Sequence, residues 1–468
     1  MKKHLLFFAL SIGLTGIFPG VHAQLRLPDI YSDNMVLQQK AIIHLWGWCN
    51  PSEAVEVIVP WQKDTLRTKS TPGAKWTVDL KTPGAGGPYE ITVISGDTVV
   101  IHNVLIGEVW LCGGQSNMQM NADWNYQNAA EEISHAHYPD IRFFKVELTE
   151  ANYPQQELRG AWQICSPQSM RGFSGAGYFF GRRLYDYLKQ PMGLIQSCWG
   201  GTPVETWMPA SIFRSDSVLA KSAAGLETVP WCPVQASVCY NAMIYPLQSL
   251  SLAGVIWYQG EANVVNPDTY KEAFGKMIKA WRSLWHQEFP FYFVQIAPFK
   301  YEKPYQGALI REAQLQTFKT VANTGVVVIT DITGDTNNIH PKDKQDVGIR
   351  LANWALARHY GFKDVVYSGP IYRSMIIRGD KIRLSFDFAQ NGLKQKGSSL
   401  NSFLIAGSDR HFQKAQAKIV GNSIEVYSPM VSHPVAVRFG FSNTAIPNLF
   451  NKSGLPASPF RTDKWSIK

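Results

Sequence analysis

The sequence predicts an α/β protein in which a central unit with a parallel sheet is flanked by two β-rich modules. Between residues 104 and 361, apolar runs alternate with helical periodicity, as expected of strands covered by helices on both faces. Short alternating runs separated by turn-forming residues fill 24–103 and 362–468. A chain of 468 residues is also too long for one hydrophobic core.

The first 23 residues are typical of a secretory signal peptide. Lys2 and Lys3 precede an apolar run, and Val21-His22-Ala23 is a small-residue cleavage site before Gln24. Glycines and a proline interrupt the run, which disfavours a transmembrane anchor. We therefore expect an exported protein, periplasmic or extracellular, with no transmembrane segment.

Each of the three parts has its own predicted elements. The N-terminal β-sandwich-like domain, 24–103, has candidate strands at 42–46, 55–59, 76–80 and 89–93. The central domain, 104–361, has candidate strands at 109–112, 192–198, 253–258, 291–297 and 325–331, and candidate helices near 173–189, 268–286, 308–320 and 343–360. The C-terminal β-rich domain, 362–468, has candidate strands at 373–377, 381–386, 423–427 and 436–439.

Charge and cysteine content narrow the class of protein. The formal charge of +9 falls to +7 when Lys2 and Lys3 leave with the signal peptide. The basic residues of the chain are scattered and not clustered, which does not favour nucleic-acid binding. The six cysteines show no Cys-x-x-Cys spacing, so no metal site is expected. Cys232 and Cys239, on either side of Pro233, are the best disulfide candidates, with two free thiols as the open alternative.

The most informative stretch is Gly114-Gln115-Ser116-Asn117-Met118, which directly follows a short apolar run. A serine just past the end of a strand can project its hydroxyl at the sheet edge where α/β folds place chemistry. Met118 stands where a Gly-x-Ser-x-Gly elbow would have glycine, so another kind of serine hydrolase is favoured.

Three later loops offer the groups that such a serine needs. Gly200 and Gly201 follow a predicted strand, and paired glycines let backbone N–H groups approach a ligand, although a tight turn also uses them. Gln259 and Asn263 follow the next strand and carry neutral amide donors, with loop capping as the alternative. His340 follows the last strand and shares the predicted sheet edge with the serine.

Taken in order, these motifs resemble the SGNH-hydrolase superfamily, and most closely its sialate O-acetylesterase branch. The resemblance extends beyond the central domain and covers nearly the whole mature chain. The stretches that carry it are 33–39, 114–118, 200–202, 240–243, 259–261, 339–341 and 455–462. It implies a flavodoxin-like parallel-sheet hydrolase domain at 104–361.

The resemblance also implies roles. Ser116 would be the nucleophile and His340 the general base in the hydrolysis of O-acetyl esters of sugars through an acetyl-enzyme. Gly200 or Gly201 would supply an oxyanion-hole N–H beside that of Ser116, and the loop from Gln259 to Asn263 would supply a third donor. No metal or organic cofactor is implied.

One position departs from the superfamily pattern. Members commonly carry Asp three residues before the catalytic His, but this position is Asn337. A neutral amide cannot stabilise an imidazolium as a carboxylate does. Either a Ser–His pair acts alone, which we favour, or another acid such as Asp335 or Asp331 replaces the missing one.

The substrate is less tightly defined by sequence. Trp199, Trp207 and Trp257 lie near the expected site and could stack on sugar rings, although Trp257 lies within a strand and could equally well fill the core. Arg171 or Arg311 could bind the carboxylate of a sialic acid. Acetylated xylan or pectin is an alternative substrate, and a non-catalytic glycan-binding protein is the alternative from another class. The expected partner is an O-acetylated sugar, and the oligomeric state stays open.

Overall fold

The computed structural model describes residues 24–467, so the predicted signal peptide lies outside the described residues. The N-terminal module contains β1 (Val36–Gln38), β2 (Ile42–Trp48), β3 (Ala54–Ile58), β4 (Leu66–Lys69), β5 (Lys75–Lys81), β6 (Gly86–Ser95) and the first half of β7 (Asp97–Gly114). The C-terminal module contains β14 (Ile371–Arg378), β15 (Lys381–Asp387), β16 (Leu393–Gln395), β17 (Phe403–Ala406), β18 (Gln413–Lys414), β19 (Gln416–Val420), β20 (Ser423–Tyr427), β21 (Ala436–Phe439), β22 (Leu449–Asn451) and β23 (Phe460–Arg461).

The central region between these modules carries the α-helices. Its strands after β7 are β8 (Tyr138–Lys145), β9 (Trp162–Cys165), β10 (Met192–Cys198), β11 (Gly254–Tyr258), β12 (Phe291–Val294) and β13 (Thr324–Val327). Its helices are α1 (Ser116–Gln119), α2 (Ala129–His135), α3 (Pro167–Arg171), α4 (Gly175–Leu188), α5 (Ala210–Ser215), α6 (Ser217–Ala224), α7 (Pro267–Trp285), α8 (Gln306–Thr320) and α9 (Lys344–Arg358). Short 3₁₀ turns occupy Ala122–Trp124, Val204–Trp207, Tyr245–Ser249 and Glu261–Val265, and a π turn occupies Tyr240–Ile244.

The central sheet has the strand order β13-β12-β11-β7-β10-β8-β9. All neighbours from β13 to β8 pair in parallel, and β9 closes the edge antiparallel to β8. The α/β fold predicted from the sequence is confirmed. The observed sheet has two strands, β8 and β9, that were not predicted from the sequence. Strand β8 was missed because Pro139, Asp140 and Arg142 interrupt its apolar pattern.

Alternate residues of β7 face two different layers. Val109 and Leu111 pack in the hydrophobic cluster that includes residues of α7 and α8, whereas Trp110 and Cys112 pack in the cluster that includes residues of α4 and α9. The strand is buried on both faces, which explains its uninterrupted apolar sequence. Strands β10 and β11 lie on opposite sides of β7, so the loops after these three strands meet at one edge of the sheet.

The two β-rich modules differ in how they join the central sheet. The predicted boundary at residues 103 and 104 falls inside β7, whose N-terminal half pairs with β6 and whose C-terminal half pairs with β10 and β11. The C-terminal module instead forms separate antiparallel sheets, with the orders β14-β15-β20-β19, β18-β17-β21-β23 and β16-β22.

Two sequence expectations concern the chain as a whole. All six cysteines are free and buried, so the proposed bridge between Cys232 and Cys239 is corrected to two thiols. Burial raises the pKa of Cys232 to about 11, which keeps this thiol protonated at neutral pH. Among residues 24–467, no helix is both long enough and apolar enough to cross a membrane.

Candidate active site

Ser116 lies at the carboxyl end of β7, in the middle of the central sheet. It is the first residue of the short helix α1, and its position depends on Gly114. Gly114 has φ of +136°, and a Cβ there would lie 2.2 Å from the carbonyl oxygen of Tyr258 on β11. Only glycine therefore lets the chain leave the strand this close to its neighbour and present the serine at the sheet edge.

His340 reaches Ser116 from the long loop after β13. The His340 Nε2 and Ser116 Oγ atoms are 2.9 Å apart, which is hydrogen-bond distance for a nucleophile and its base. The backbone N–H of His340 donates to Asn338 Oδ1 at 2.9 Å, and the Trp124 ring packs edge-on against the imidazole at 5.5 Å. The sheet thus brings together two residues 224 positions apart.

The surroundings of His340 favour the neutral imidazole. Partial burial lowers its pKa below the ordinary 6.5, and the nearby positive charge of Lys344 lowers it further. A neutral imidazole can take the proton of the Ser116 hydroxyl, whereas an imidazolium cannot.

The structure places the candidate third members away from the imidazole. Asp335 Oδ1 accepts from the backbone N–H and the side-chain amide of Asn337, both at 2.9 Å, and both residues are exposed. Asp331 instead binds both terminal nitrogens of Arg350, at 2.7 and 2.8 Å. Within residues 24–467, no carboxylate bonds to His340, so the geometry is that of a Ser–His pair.

The paired glycines lie beside the nucleophile, as expected. A Cβ added to Gly200 would lie 3.2 Å from Ser116 Cβ, and both Gly200 and Gly201 line the pocket in front of the serine. The Gly200 N–H donates to Gln119 Oε1 at 2.7 Å, whereas the Gly201 N–H has no partner among the described residues. Gly201 is therefore the glycine whose N–H is available for an oxyanion.

Gln259 and Asn263 do not reach the pocket, which corrects the sequence prediction. Both are fully buried, and Gln259 Nε2 donates to Asn263 Oδ1 at 2.7 Å. Asn263 Nδ2 in turn donates to Glu205 at 2.8 Å. These amides are occupied in holding the loops after β10 and β11 together, so they are not free to donate to a substrate.

Two glutamines that sequence reasoning missed lie in the pocket wall instead. Gln115 Oε1 accepts from the backbone N–H groups of Gly260 and Ala262, at 3.3 and 3.2 Å, and Gln119 Oε1 accepts from Gly200. Within the described chain, neither amide nitrogen has a partner, and both residues line the pocket. The available signal was their place in the sequence, with Gln115 directly before Ser116 and Gln119 directly after the motif.

The pocket in front of Ser116 has a volume of about 1020 Å³. Trp124, Trp199 and Trp231 line it, and Trp231 is 66% exposed at its rim. Trp207 and Trp257 are instead fully buried core residues, so of the three tryptophans named from sequence only Trp199 faces the pocket. Exposed aromatic faces in a pocket that also carries polar side chains suit a ligand with one apolar face, such as a sugar ring.

Comparison with known proteins identifies the family of this chain. Residues 106–357 match the family model described as carbohydrate esterase, sialic acid-specific acetylesterase. The chain belongs to this carbohydrate esterase family. It is 31% identical over 488 residues to a human sialate O-acetylesterase, covering 93% of this chain and 92% of that protein.

Two further relatives extend the comparison. The chain is 34% identical over 427 residues to a sialate O-acetylesterase of Rattus norvegicus, covering 76% of this chain and 78% of the rat protein. The crystal structure of a carbohydrate acetylesterase from Xanthomonas citri superimposes with a TM-score of 0.86 at 36% identity, covering 94% of this chain and 100% of that chain. Family and fold therefore extend over nearly the whole described chain.

The charges around the pocket of this esterase differ from the sequence expectation. Arg171 pairs with Asp123 at 2.6 Å and does not line the pocket. Arg311 is fully buried and donates to backbone carbonyls, including that of Ala297. Lys303 is the single lysine, and there is no arginine, among the described residues that line the pocket.

The acidic side chains of the pocket outnumber this lysine. Glu227 and Glu302 are exposed lining residues, and Glu261 is buried beneath them. Within residues 24–467, no group of three or more His, Cys, Asp and Glu side chains is arranged to hold a metal ion.

Proposed function

We propose that this esterase hydrolyses O-acetyl esters on sugar hydroxyls, those of sialic acids among them, through an acetyl-Ser116 intermediate. The observation that carries the proposal is the 2.9 Å contact between Ser116 Oγ and His340 Nε2 at the base of an open, tryptophan-lined pocket. The names of the human and rat relatives, sialate O-acetylesterase, support the acetyl ester and the sugar.

The first half of the reaction transfers the acetyl group to the enzyme. His340 Nε2 takes the hydroxyl proton as Ser116 Oγ attacks the acetyl carbonyl carbon. The backbone N–H groups of Ser116 and Gly201 and the amide nitrogens of Gln115 and Gln119 are donors available to the negative oxygen that develops. The C–O bond to the sugar then breaks, and His340 returns the proton to the departing sugar hydroxyl.

The second half repeats these steps with water. His340 takes a proton from a water molecule, the hydroxide adds to the acetyl carbon, and the bond to Ser116 Oγ breaks with return of the proton to the serine. The products are acetate and the deacetylated sugar.

The test is acetate release from O-acetylated sialic acid by the purified mature protein. We expect release far above an enzyme-free blank. Release indistinguishable from the blank with every acetylated sugar would contradict the proposal and would favour a glycan-binding protein without turnover.

A second candidate substrate is an acetylated neutral polysaccharide such as xylan or pectin. The charges of the pocket lining favour it, because the lining has two exposed glutamates, Glu227 and Glu302, and a single lysine. The two arginines named from the sequence, Arg171 and Arg311, lie outside this lining. A sialic acid carries a carboxylate that this lining would repel. Comparing kcat/KM for acetylated xylan and O-acetyl sialic acid decides between the two, and a higher value for the sialic acid would reject this candidate.

We also propose that the protein is exported after cleavage at Gln24. The support is the pattern of the first 23 residues: basic start, apolar run and small-residue cleavage site. Mass spectrometry of the exported protein should give a chain beginning at Gln24, and an intact Met1 would reject the proposal.

A further inference from the structure

A lysine is completely buried directly behind the nucleophile. Lys344 is the first residue of α9, and its side chain has no exposed surface. Asp343 caps the helix by accepting from the Asp346 N–H, which fixes where α9 begins relative to the His340 loop. Burial lowers the pKa of Lys344 to about 7, because a buried ammonium lacks the solvation that water would give it.

Asn117, the residue after the nucleophile, is the partner of this lysine. Lys344 Nζ donates to Asn117 Oδ1 at 2.6 Å. On its other side, Asn117 Nδ2 donates to Glu261 Oε1 at 2.6 Å and to the Ile339 carbonyl at 3.0 Å. The Ile339 carbonyl fixes the amide orientation, because a carbonyl oxygen only accepts and must therefore face the amide nitrogen.

These bonds join the two halves of the catalytic pair. Asn117 follows Ser116 in sequence, and Ile339 precedes His340. One buried amide thus connects the backbone that carries the nucleophile to the backbone that carries its base. No carboxylate among residues 24–467 bonds to the imidazole, and backbone bonds from the Lys300 N–H to the Thr336 carbonyl and from the Gln127 N–H to the Lys342 carbonyl anchor the two ends of the loop. The Asn117 bond to the Ile339 carbonyl acts between them, directly beside His340.

The two charges of the cluster lie on opposite sides of the Asn117 amide. Glu261 is fully buried, and its burial raises its pKa, while its bond to Asn117 and the charge of Lys344 act in the opposite direction. A buried ion that lost its counter-charge would be strongly destabilised. Glu261 and Lys344 therefore support each other through the amide between them.

The charged groups near His340 come from several elements. Lys344, on α9, acts on His340 itself, and Asp343 from the α9 cap and Glu261 from the loop after β11 act in turn on Lys344. On the loop that carries His340 itself, Asp335 is bonded to Asn337 and Lys342 is exposed. The Trp124 ring covers the imidazole edge from the 3₁₀ turn after α1.

We propose that Asn117, Glu261 and Lys344 form a positioning unit that serves where the superfamily uses an aspartate beside the histidine. Asn117 holds the His340 loop against Ser116, and the buried charges of Glu261 and Lys344 hold Asn117. The proposal rests on the proposed roles of Ser116 and His340. The three residues act through their neighbours and do not touch the substrate.

The test compares Lys344→Met with the matched control Lys342→Gln, using aryl acetate hydrolysis over a range of pH. Lys342 lies two residues from His340, closer in sequence than Lys344, but it is exposed, so its charge is screened by solvent. Lys344→Met should lower kcat by about 10- to 100-fold with KM within about twofold, since the loss is one of geometry at the reacting atoms. It should also move the acid limb of kcat/KM to higher pH by about half a unit or more, because a nearby positive charge is gone.

NMR titration of His340 in the same variants gives a readout that does not depend on turnover. The imidazole of Lys344→Met should titrate at higher pH than that of the wild type, and that of Lys342→Gln should not shift. A folded Lys344→Met enzyme with wild-type kcat, acid limb and imidazole titration would overturn the proposal, even if Ser116 and His340 carry the reaction as proposed.

A second variant covers the case in which Lys344→Met fails to fold. Asn117→Asp keeps the shape and still accepts from Lys344, but it cannot donate to Glu261 or to the Ile339 carbonyl. We expect kcat to fall by about 10²-fold with KM nearly unchanged, because the His340 loop loses its buried anchor. Wild-type kcat in Asn117→Asp would also overturn the proposal.

Discussion

Replacing Asp335 with asparagine distinguishes a Ser–His pair that acts alone from a triad in which Asp335 replaces the missing aspartate. Where a carboxylate holds the catalytic imidazole, its change to an amide costs about 10⁴-fold in kcat, as in the serine proteases. Here both bonds of Asp335 Oδ1, each 2.9 Å long, go to Asn337 in an exposed turn, and none goes to His340.

The structure sets the magnitude expected for this change. Each exposed hydrogen bond contributes about 0.5–1.5 kcal/mol, and about 1.4 kcal/mol corresponds to tenfold in rate. Asparagine keeps a carbonyl oxygen that can accept the backbone bond, so at most about one such bond is lost. We therefore expect Asp335→Asn and Asn337→Ala each to retain kcat within about tenfold of the wild type, and His340→Ala to lose about 10³-fold or more.

The assay is steady-state hydrolysis of an aryl acetate by purified variants whose folding is checked by thermal unfolding. A loss of about 10²-fold or more in Asp335→Asn, with an unchanged melting temperature, would refute the Ser–His pair and give Asp335 the carboxylate role. A mild His340→Ala with a severe Asn337→Ala would refute the assignment of the base itself.

Three further predictions follow from the same geometry. Burial and the charge of Lys344 lower the pKa of His340. We therefore expect kcat/KM to rise with pH through a midpoint below 6.5 and to level off near neutral pH. A midpoint above 6.5 would contradict the described surroundings of the imidazole. Asp331→Asn breaks a buried ion pair with Arg350, so chemical denaturation should show a loss of about 3–5 kcal/mol in unfolding free energy, while kcat of the folded enzyme stays within about tenfold. Trp231→Ala removes an exposed ring from the pocket rim. We expect KM for an acetylated oligosaccharide to rise several-fold, while kcat for a small aryl acetate is unchanged. Equal effects on both substrates would exclude a sugar-stacking role for Trp231.

The sequence was informative where local pattern and burial agree. The strand leading to Ser116 is buried on both faces, so its apolar run was uninterrupted and its end was visible. The same holds for the strands before Gly200 and before the loop of Gln259. Since parallel strands end at one edge of a sheet, identifying those strands was enough to bring Ser116 and His340 to the same edge.

The sequence was misleading where polar residues are buried. Gln259 and Asn263 look like exposed loop amides, but both are fully buried on either side of Gly260 and bond to each other. Lys344 looks like a solvated residue at the start of a helix, yet that helix begins directly behind the nucleophile. Such burial depends on how distant loops pack, which local periodicity does not record.

Strand β8 and the two central thiols illustrate the same limit. Arg142 interrupts the apolar run of β8, although its side chain is almost fully buried in the structure. The spacing of Cys232 and Cys239 allowed a bridge, but spacing alone does not determine whether two sulfur atoms meet.

The central claim, that Ser116 is the nucleophile of an acetylesterase, is tested most directly by kcat of Ser116→Ala on an aryl acetate. Alanine removes only the hydroxyl oxygen that lies 2.9 Å from His340 Nε2 and leaves the pocket otherwise intact. We predict that kcat falls by at least about 10³-fold while the melting temperature is unchanged. Near-normal turnover by the folded variant would contradict the account.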